Sequence, residues 1–91
     1  MARWVYIRVR GRVQGVGFRY ATLACARQLG GAGWTRNCQD GSVEIVAGGT
    51  SMAIEAFLAW CGHGPPGARV ESMTAVDREP EADFEGFDIR Y

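Results

Sequence analysis

Apolar and polar residues alternate without a break near the start of the chain. Every second position of residues 3–10, RWVYIRVR, is apolar, namely Val5, Ile7 and Val9. A period of two is typical of a β-strand with one buried face, so these residues are expected in a core. The opposite face carries Trp4, Tyr6, Arg8 and Arg10. Similar short runs predict four more strands, at residues 32–37, 42–47, 68–76 and 87–91.

A helical period of about 3.6 replaces this alternation in two segments. In residues 18–29 one face is formed by Phe18, Ala21, Cys25 and Leu29. Gly30 and Gly31 then end the predicted helix. A second helix is expected after Thr50 or Ser51, either of which can cap it, and before Gly62. Its apolar face consists of Ile54, Phe57, Leu58 and Cys61.

The resulting order is β-α-β-β-α-β followed by a final strand. The two middle strands are joined by CQDG, residues 38–41, whose Asp-Gly pair favours a hairpin. Two βαβ units joined in this way form a split-βαβ, ferredoxin-like α/β sandwich of the α+β class. We therefore expect one mixed, mainly antiparallel sheet with both helices on one face. Residues 1–91 form a single domain in this interpretation, with loops at residues 62–67 and 78–83.

Composition limits where the protein acts. The chain is 47% hydrophobic and 22% charged, which is typical of a folded soluble domain. It has no apolar run of about 18 residues for a membrane span, and its N-terminus lacks the apolar segment of a signal peptide. Three widely spaced cysteines, Cys25, Cys38 and Cys61, match neither a zinc site nor a disulfide framework. We expect a cytoplasmic protein with free thiols.

The charges are separated along the chain although the net charge is zero. Seven of the ten arginines precede residue 38, and all ten acidic residues follow it. Residues 1–38 therefore carry a formal charge of about +7, and residues 39–91 about −7. Such a separation points to an anionic partner if it survives folding. Pairing of strands from the two halves would instead cancel it.

The loop before the first helix, GRVQGVGFRY at residues 11–20, is the strongest candidate for a binding site. It is not a nucleotide P-loop, because the chain contains no lysine, and Tyr20 stands where a dinucleotide motif has its third glycine. No Ser, Thr, Asp or Asn is present to cap the helix, and Arg19 is a cation in the first turn, where the helix dipole disfavours it. A bound anion would resolve both anomalies. Otherwise the loop is a tight turn and Arg19 points into water.

Asn37 ends the second predicted strand and has two possible roles. Asparagine often braces a hairpin turn, but its amide oxygen can also hold and orient a water molecule. No stronger chemistry is visible, since no cysteine has an arginine six residues later and His63, the only histidine, lies in a Gly-Pro loop. A site that offers only positioning and charge neutralisation requires a substrate that water attacks readily, such as an acyl phosphate.

With these residues in view, the sequence resembles the acylphosphatase family. GRVQGVGFR (11–19) and GWTRNCQDGSVEI (33–45) fit its two signatures, and GPPGARV (64–70) and FDIRY (87–91) fit its later pattern. The resemblance implies a ferredoxin-like sheet with strand order 4-1-3-2-5 and metal-independent hydrolysis of acyl phosphates. It also implies that Arg19 binds the phosphate and Asn37 orients the attacking water, so that both are catalytic. The phosphate oxygens would be cradled by the amides of Gly15, Val16, Gly17, Phe18 and Arg19.

We further expect a monomer whose partners are an acyl phosphate and phosphate, without a cofactor, a metal, nucleic acid or a membrane. The chain departs from the family at Gly31, where a large apolar residue is more common, and at Thr35, where valine is. Two other functions remain open. One is an RNA-binding domain of the same strand order, with Trp4 and Tyr6 stacking on bases, although the third strand carries no aromatic residue. The other is a relative that binds anions without catalysis.

Overall fold

The computed structural model describes residues 2–80 and 82–91 and has the predicted order of strands and helices. The elements are β1 (Arg3–Arg12), α1 (Phe18–Gln28), β2 (Ala32–Asn37), β3 (Val43–Gly49), α2 (Ser51–Cys61), β4 (Arg69–Asp77) and β5 (Phe87–Arg90). The predicted loop at residues 78–83 includes Glu81, which lies outside the described residues.

The strands form one sheet in the order β4-β1-β3-β2-β5, as the family resemblance implies. β1 is antiparallel to both β3 and β4, and β2 is antiparallel to β3. Only β2 and β5 run parallel, so the sheet is mixed and mainly antiparallel, as expected. Both helices pack on the same face, where α1 contacts β2 and β5 and α2 contacts β1 and β3. The predicted α+β sandwich is therefore confirmed.

The core lies between this helix-covered face and the two helices. The alternating residues of β1 point into it, with Val5, Ile7 and Val9 opposite Ala47, Ile45 and Val43 of β3. Thr35 of β2 pairs with Ile45 in the same layer and is fully buried. Its Oγ1 has no hydrogen-bond partner among the described residues. A buried hydroxyl without a partner is destabilising, so the departure from valine at this position carries a cost.

Strand β1 runs two residues further than the alternation predicts. The register with β4 shifts between Arg10 and Gly11, and pairing then continues to Arg12. Gly11 has φ 127°, a conformation that glycine adopts readily and other residues rarely do. The glycine-rich segment therefore begins with a β-bulge that extends the strand, and the loop proper starts at Val13.

The buried stripe of α1 differs from the predicted one. Phe18 is buried as expected, but the next two fully buried residues are Thr22 and Ala26. Cys25 and Leu29, predicted on the same buried face as Phe18, are only partly buried. A threonine is tolerated in the core because its Oγ1 donates a hydrogen bond to the Phe18 carbonyl at 2.8 Å. The helix ends as predicted, with Gly30 at φ 73° and the Gly31 N–H bonded to the Ala26 carbonyl.

The helix-free face of the sheet is organised around Glu44, which is only 5% exposed. Its carboxylate accepts hydrogen bonds from the Tyr6 hydroxyl at 2.6 Å, from Arg8 at 3.2 Å and from the Arg36 Nε. Burial by itself raises the pKa of Glu44, but the bonds from Tyr6, Arg36 and Arg8 outweigh it and hold that pKa below its usual value. The charged form of Glu44 therefore stabilises the fold.

Replacing the unpaired buried hydroxyl should stabilise the protein. We expect Thr35→Val to raise the free energy of unfolding by about 1 kcal/mol, because valine fills nearly the same space without a polar atom. Urea unfolding measures the change. Thr22→Val is the matched control, since it removes a hydroxyl that is hydrogen-bonded, and it should give no gain. Equal effects of the two substitutions would contradict the explanation.

Acid should weaken the fold through Glu44. The pKa of Glu44 is lower in the folded protein than in the unfolded chain. Ionised Glu44 therefore stabilises the fold fully above the unfolded pKa, and this stabilisation is lost as the pH falls through the folded pKa. Unfolding free energies measured from pH 7 to pH 3 should therefore decline below about pH 4.5. Glu44→Gln should be less stable at pH 7 and should decline less steeply, whereas Glu55→Gln, which removes an exposed partner of Arg3, should follow the wild type. Parallel curves for Glu44→Gln and wild type would be inconsistent with this role.

Candidate active site

Helix α1 begins without a side-chain cap. Its N-cap is Gly17, in the left-handed conformation at φ 75°, and no side chain accepts a hydrogen bond from the first turn. Helix α2 provides the contrast, because Thr50 Oγ1 accepts a hydrogen bond from the Ala53 N–H at 3.1 Å. The start of α1 therefore leaves backbone donors free, as the sequence predicts.

The free donors form a continuous run. The first bond of the helix joins the Ala21 N–H to the Gly17 carbonyl at 3.0 Å. Within the described residues, none of the N–H groups of residues 15–20 donates to a protein acceptor. Gly15 has φ 74° and Gly17 φ 75°, and no atom lies within 4 Å of the position that a Cβ would take at either residue. Turns of this kind direct successive N–H groups into an anion-binding concavity.

A cavity of about 180 Å³ opens above these amides. It brings together the two residues that the sequence singled out, Arg19 and Asn37, although they belong to α1 and β2. The described residues that line it are Val13, Gly15, Gly17, Phe18, Arg19, Tyr20 and Asn37. Of the predicted cradle, only Val16 is absent from this lining, because its side chain packs against the core.

Arg19 differs from four of the six other arginines of the basic half in its surroundings. Arg3, Arg8, Arg10 and Arg36 all form ion pairs with acidic residues of the second half of the chain. Folding therefore cancels much of the charge separation. In the described part of the chain no carboxylate lies within 4.0 Å of Arg19, whose guanidinium carbon is 4.9 Å from the centre of the Tyr91 ring. Its positive charge is left available to the cavity.

Asn37 presents an amide to the same cavity. Its Oδ1 is shielded from solvent and accepts no hydrogen bond from the described residues. The hairpin that follows is held by other groups, since the Cys38 N–H bonds to the Ser42 carbonyl at 2.8 Å and Asp40 Oδ1 accepts from the Ser42 N–H at 2.9 Å. Asn37 is thus not needed as a brace, and its side chain lines the cavity with Oδ1 buried.

Gln14 joins the loop to this hairpin, a role that the sequence did not indicate. Its Nε2 donates to the Cys38 carbonyl at 2.8 Å and to the Ser42 carbonyl at 2.9 Å. These carbonyls flank the turn directly after Asn37. Gln14 therefore sets the position of the amides of residues 15–20 relative to Asn37.

Phe18 ties the same loop to the core. Its ring is 1% exposed and lies 5.6 Å from the Trp60 ring of α2. Gly64, at φ 68° in the loop at residues 62–67, lies so close that any Cβ there would collide with the Phe18 ring. Because residue 64 is glycine, this loop can pack directly on the Phe18 ring. The buried ring in turn holds the start of α1 in place.

Two larger clefts, of about 390 and 230 Å³, lie outside this site. They expose side chains that are already paired, including Arg3 with Asp77 and Arg36 with Glu44. Trp4 and Tyr6, the residues proposed to stack on RNA bases, are half-buried, with Trp4 5.7 Å from the Phe84 ring and Tyr6 4.9 Å from the Arg78 guanidinium. These contacts take up part of the surface that base stacking requires.

The described residues contain no group of three or more His, Cys, Asp or Glu side chains placed to hold a metal ion. Within that part of the chain, neither helix is long and apolar enough to cross a membrane. Cys25, Cys38 and Cys61 are unpaired, as expected, and burial raises the pKa values of the Cys25 and Cys61 thiols.

The fold is a βαββαβ sandwich, a small α+β domain. Its cationic cavity lies at the start of a helix, where an uncapped glycine loop, an arginine without an ion pair and an asparagine meet. The acylphosphatase family model matches residues 5–89, and the chain belongs to the acylphosphatase family. It is 47% identical over 83 residues to an acylphosphatase of Paraburkholderia xenovorans, covering 91% of this chain and 86% of that one. It is 51% identical to an acylphosphatase of Burkholderia vietnamiensis, covering 90% and 84%. The crystal structure of the Bacillus subtilis acylphosphatase superposes over 100% of both chains, with a TM-score of 0.93 at 36% identity.

Removing the link made by Gln14 should loosen the hairpin beside Asn37. We expect Gln14→Leu to lower the free energy of unfolding by about 1–2 kcal/mol, because two hydrogen bonds are lost. Amide hydrogen exchange of residues 38–42 should also become faster. The control is Gln28→Leu, which replaces an exposed glutamine at the end of α1 and should change neither quantity. If Gln14→Leu leaves hairpin exchange unaltered, Gln14 does not hold the hairpin.

Proposed function

We propose that this protein is an acylphosphatase that hydrolyses the carboxyl–phosphate bond of acyl phosphates, releasing a carboxylate and inorganic phosphate. The observation that carries the proposal is the run of N–H groups at residues 15–20, none of which has a protein acceptor in the described chain, beside the unpaired Arg19. Such an arrangement is suited to a phosphate dianion. Membership of the acylphosphatase family supports the same substrate class.

In this proposal the phosphate is bound by the loop. The backbone N–H groups of Gly15, Val16, Gly17, Phe18 and Arg19 donate to its non-bridging oxygens. The Arg19 guanidinium donates in addition and neutralises the charge that the phosphoryl group carries as it is transferred. Because the amides belong to a fixed turn, they need no reorganisation when the charge moves.

Asn37 orients the water that attacks phosphorus. An amide is not basic, so it positions the water and leaves the proton to another group. As the water oxygen bonds to phosphorus, the bond from phosphorus to the carboxyl oxygen breaks, and that electron pair leaves on the carboxylate. One proton of the water passes to a phosphoryl oxygen, so that no general base is required of the protein.

The chemistry of the cavity lining favours this substrate over a phosphate monoester. The described lining contains no carboxylate, histidine, cysteine or lysine that would act as a nucleophile, a base or an acid. An alkoxide leaving group normally needs a proton or a cation, whereas a carboxylate leaves without one. We propose that the reaction proceeds without a metal or other cofactor.

We also propose that the protein acts as a monomer in the cytoplasm. The exposed large hydrophobic side chains among the described residues are few, namely Tyr20, Met52, Val76 and Tyr91. Three free thiols suit a reducing compartment.

Benzoyl phosphate hydrolysis in the presence of EDTA tests the proposed activity. We expect turnover far above the spontaneous rate. Arg19→Ala and Arg19→Lys should both lose at least about a hundredfold in kcat/KM, because an ammonium does not reproduce the planar guanidinium fork. Asn37→Ala should lower kcat by a similar factor and leave inhibition by inorganic phosphate nearly unchanged. Arg12→Ala, which replaces an exposed arginine of the same loop region, serves as the control.

Two results would contradict these assignments. An inactive wild-type protein that still binds phosphate would indicate the non-catalytic relative instead. Loss of phosphate inhibition in Asn37→Ala would mean that Asn37 binds the phosphate or maintains the loop and does not position the water.

A further inference from the structure

Two exposed tyrosines stand at the mouth of the cavity and have no part in the chemistry above. Tyr20 follows Arg19 in the first turn of α1, is 64% exposed and lines the cavity. Tyr91 is 91% exposed, and the centre of its ring lies 4.9 Å from the Arg19 guanidinium carbon. Four large hydrophobic side chains of the described chain are exposed, and these two of the four adjoin one cavity.

Tyr91 lies beside Arg19 and near Tyr20. The neighbouring Tyr20 side chain raises the pKa of the Tyr91 phenol. The Tyr91 ring also stacks under the Arg19 guanidinium, a contact that leaves the in-plane N–H groups of Arg19 free for an anion. Tyr20, the residue after Arg19, lines the cavity and leaves most of its surface exposed.

The position of the acyl group follows from the position of the phosphate. The acyl carbon is joined to phosphorus through one oxygen, so the acyl group must lie at the mouth when the phosphate is bound by residues 15–19. Two apolar side chains of the lining, Val13 and Phe18, are each only 1% exposed and cannot offer a surface. Among the described lining residues, Tyr20 alone presents an exposed aromatic surface there.

We propose that Tyr20 forms a subsite for the acyl group, and that this subsite selects acyl phosphates with an aromatic or similarly flat apolar acyl group. The proposal rests on the acylphosphatase activity proposed above. An aromatic acyl group stacks on the Tyr20 ring, whereas an acetyl group is too small to cover it.

Steady-state kinetics with benzoyl phosphate and acetyl phosphate test the subsite. In Tyr20→Ala, the ratio of kcat/KM for benzoyl phosphate to that for acetyl phosphate should fall about tenfold, mainly through KM for benzoyl phosphate. Tyr20→Phe keeps the ring and should retain the ratio within about twofold. Val76→Ala removes an exposed apolar side chain from β4, on the helix-free face, and should match the wild type. Inhibition by inorganic phosphate should stay the same in all three variants.

An unchanged ratio of kcat/KM values in Tyr20→Ala would overturn the proposal. Equal losses of kcat/KM for both substrates would overturn it too, because Tyr20 would then contribute to phosphate binding or to the fold. If the wild type hydrolyses neither substrate, the proposed activity fails, and binding then decides the subsite. Calorimetry with phenylphosphonate and methylphosphonate should give tighter binding of the phenyl compound in the wild type and equal binding in Tyr20→Ala. Equal binding of both compounds by the wild type would exclude the subsite.

Discussion

Backbone donors without a protein acceptor are the constraint on which the rest of this structure depends. A helix start without a capping side chain costs about 1 kcal/mol, and the described chain leaves six consecutive N–H groups of residues 15–20 in this state. That arrangement persists only because the chain on either side is firmly held. Gln14 bonds to the β2–β3 hairpin, and Phe18 is packed against Trp60 and Gly64. The candidate site therefore consists of backbone N–H groups without acceptors, and the contacts of Gln14 and Phe18 stabilise the loop that carries them.

The ion pairs of the helix-free face determine which arginines keep an uncompensated charge. Glu44 and Asp40 neutralise Arg8, Arg10 and Arg36 on the helix-free face. Arg19 lies on the other side of the sheet, with an aromatic ring beside it and no carboxylate within ion-pair distance in the described residues. A separation of charge that is conspicuous in the sequence is thus largely removed by folding. Among the described residues of the basic half, Arg12, Arg19 and Arg27 form no ion pair, and Arg19 stands at the helix start, where an anion is most favoured.

The order of elements and the uncapped start of α1 were predictable because each rests on a local pattern. Alternation identified β1 and its core residues, and a cation in an uncapped first turn drew attention to Arg19. Contacts between distant residues were not predictable. Gln14 bonds to carbonyls 24 and 28 residues away, and no periodicity of the sequence indicates such a partner. The burial of Thr22 was not predicted either; its hydroxyl is accommodated in the core by a local bond to the Phe18 carbonyl, one turn earlier.

The burial of Phe18 has a consequence for motion. The residue between Gly17 and Arg19 belongs at once to the glycine loop and to the apolar core. A loop of glycines would ordinarily open in local fluctuations that cost far less than unfolding of the whole domain. Here, displacing the start of α1 requires the removal of a phenyl ring from between Trp60 and Gly64, so the packing of the core opposes opening of the loop at this residue.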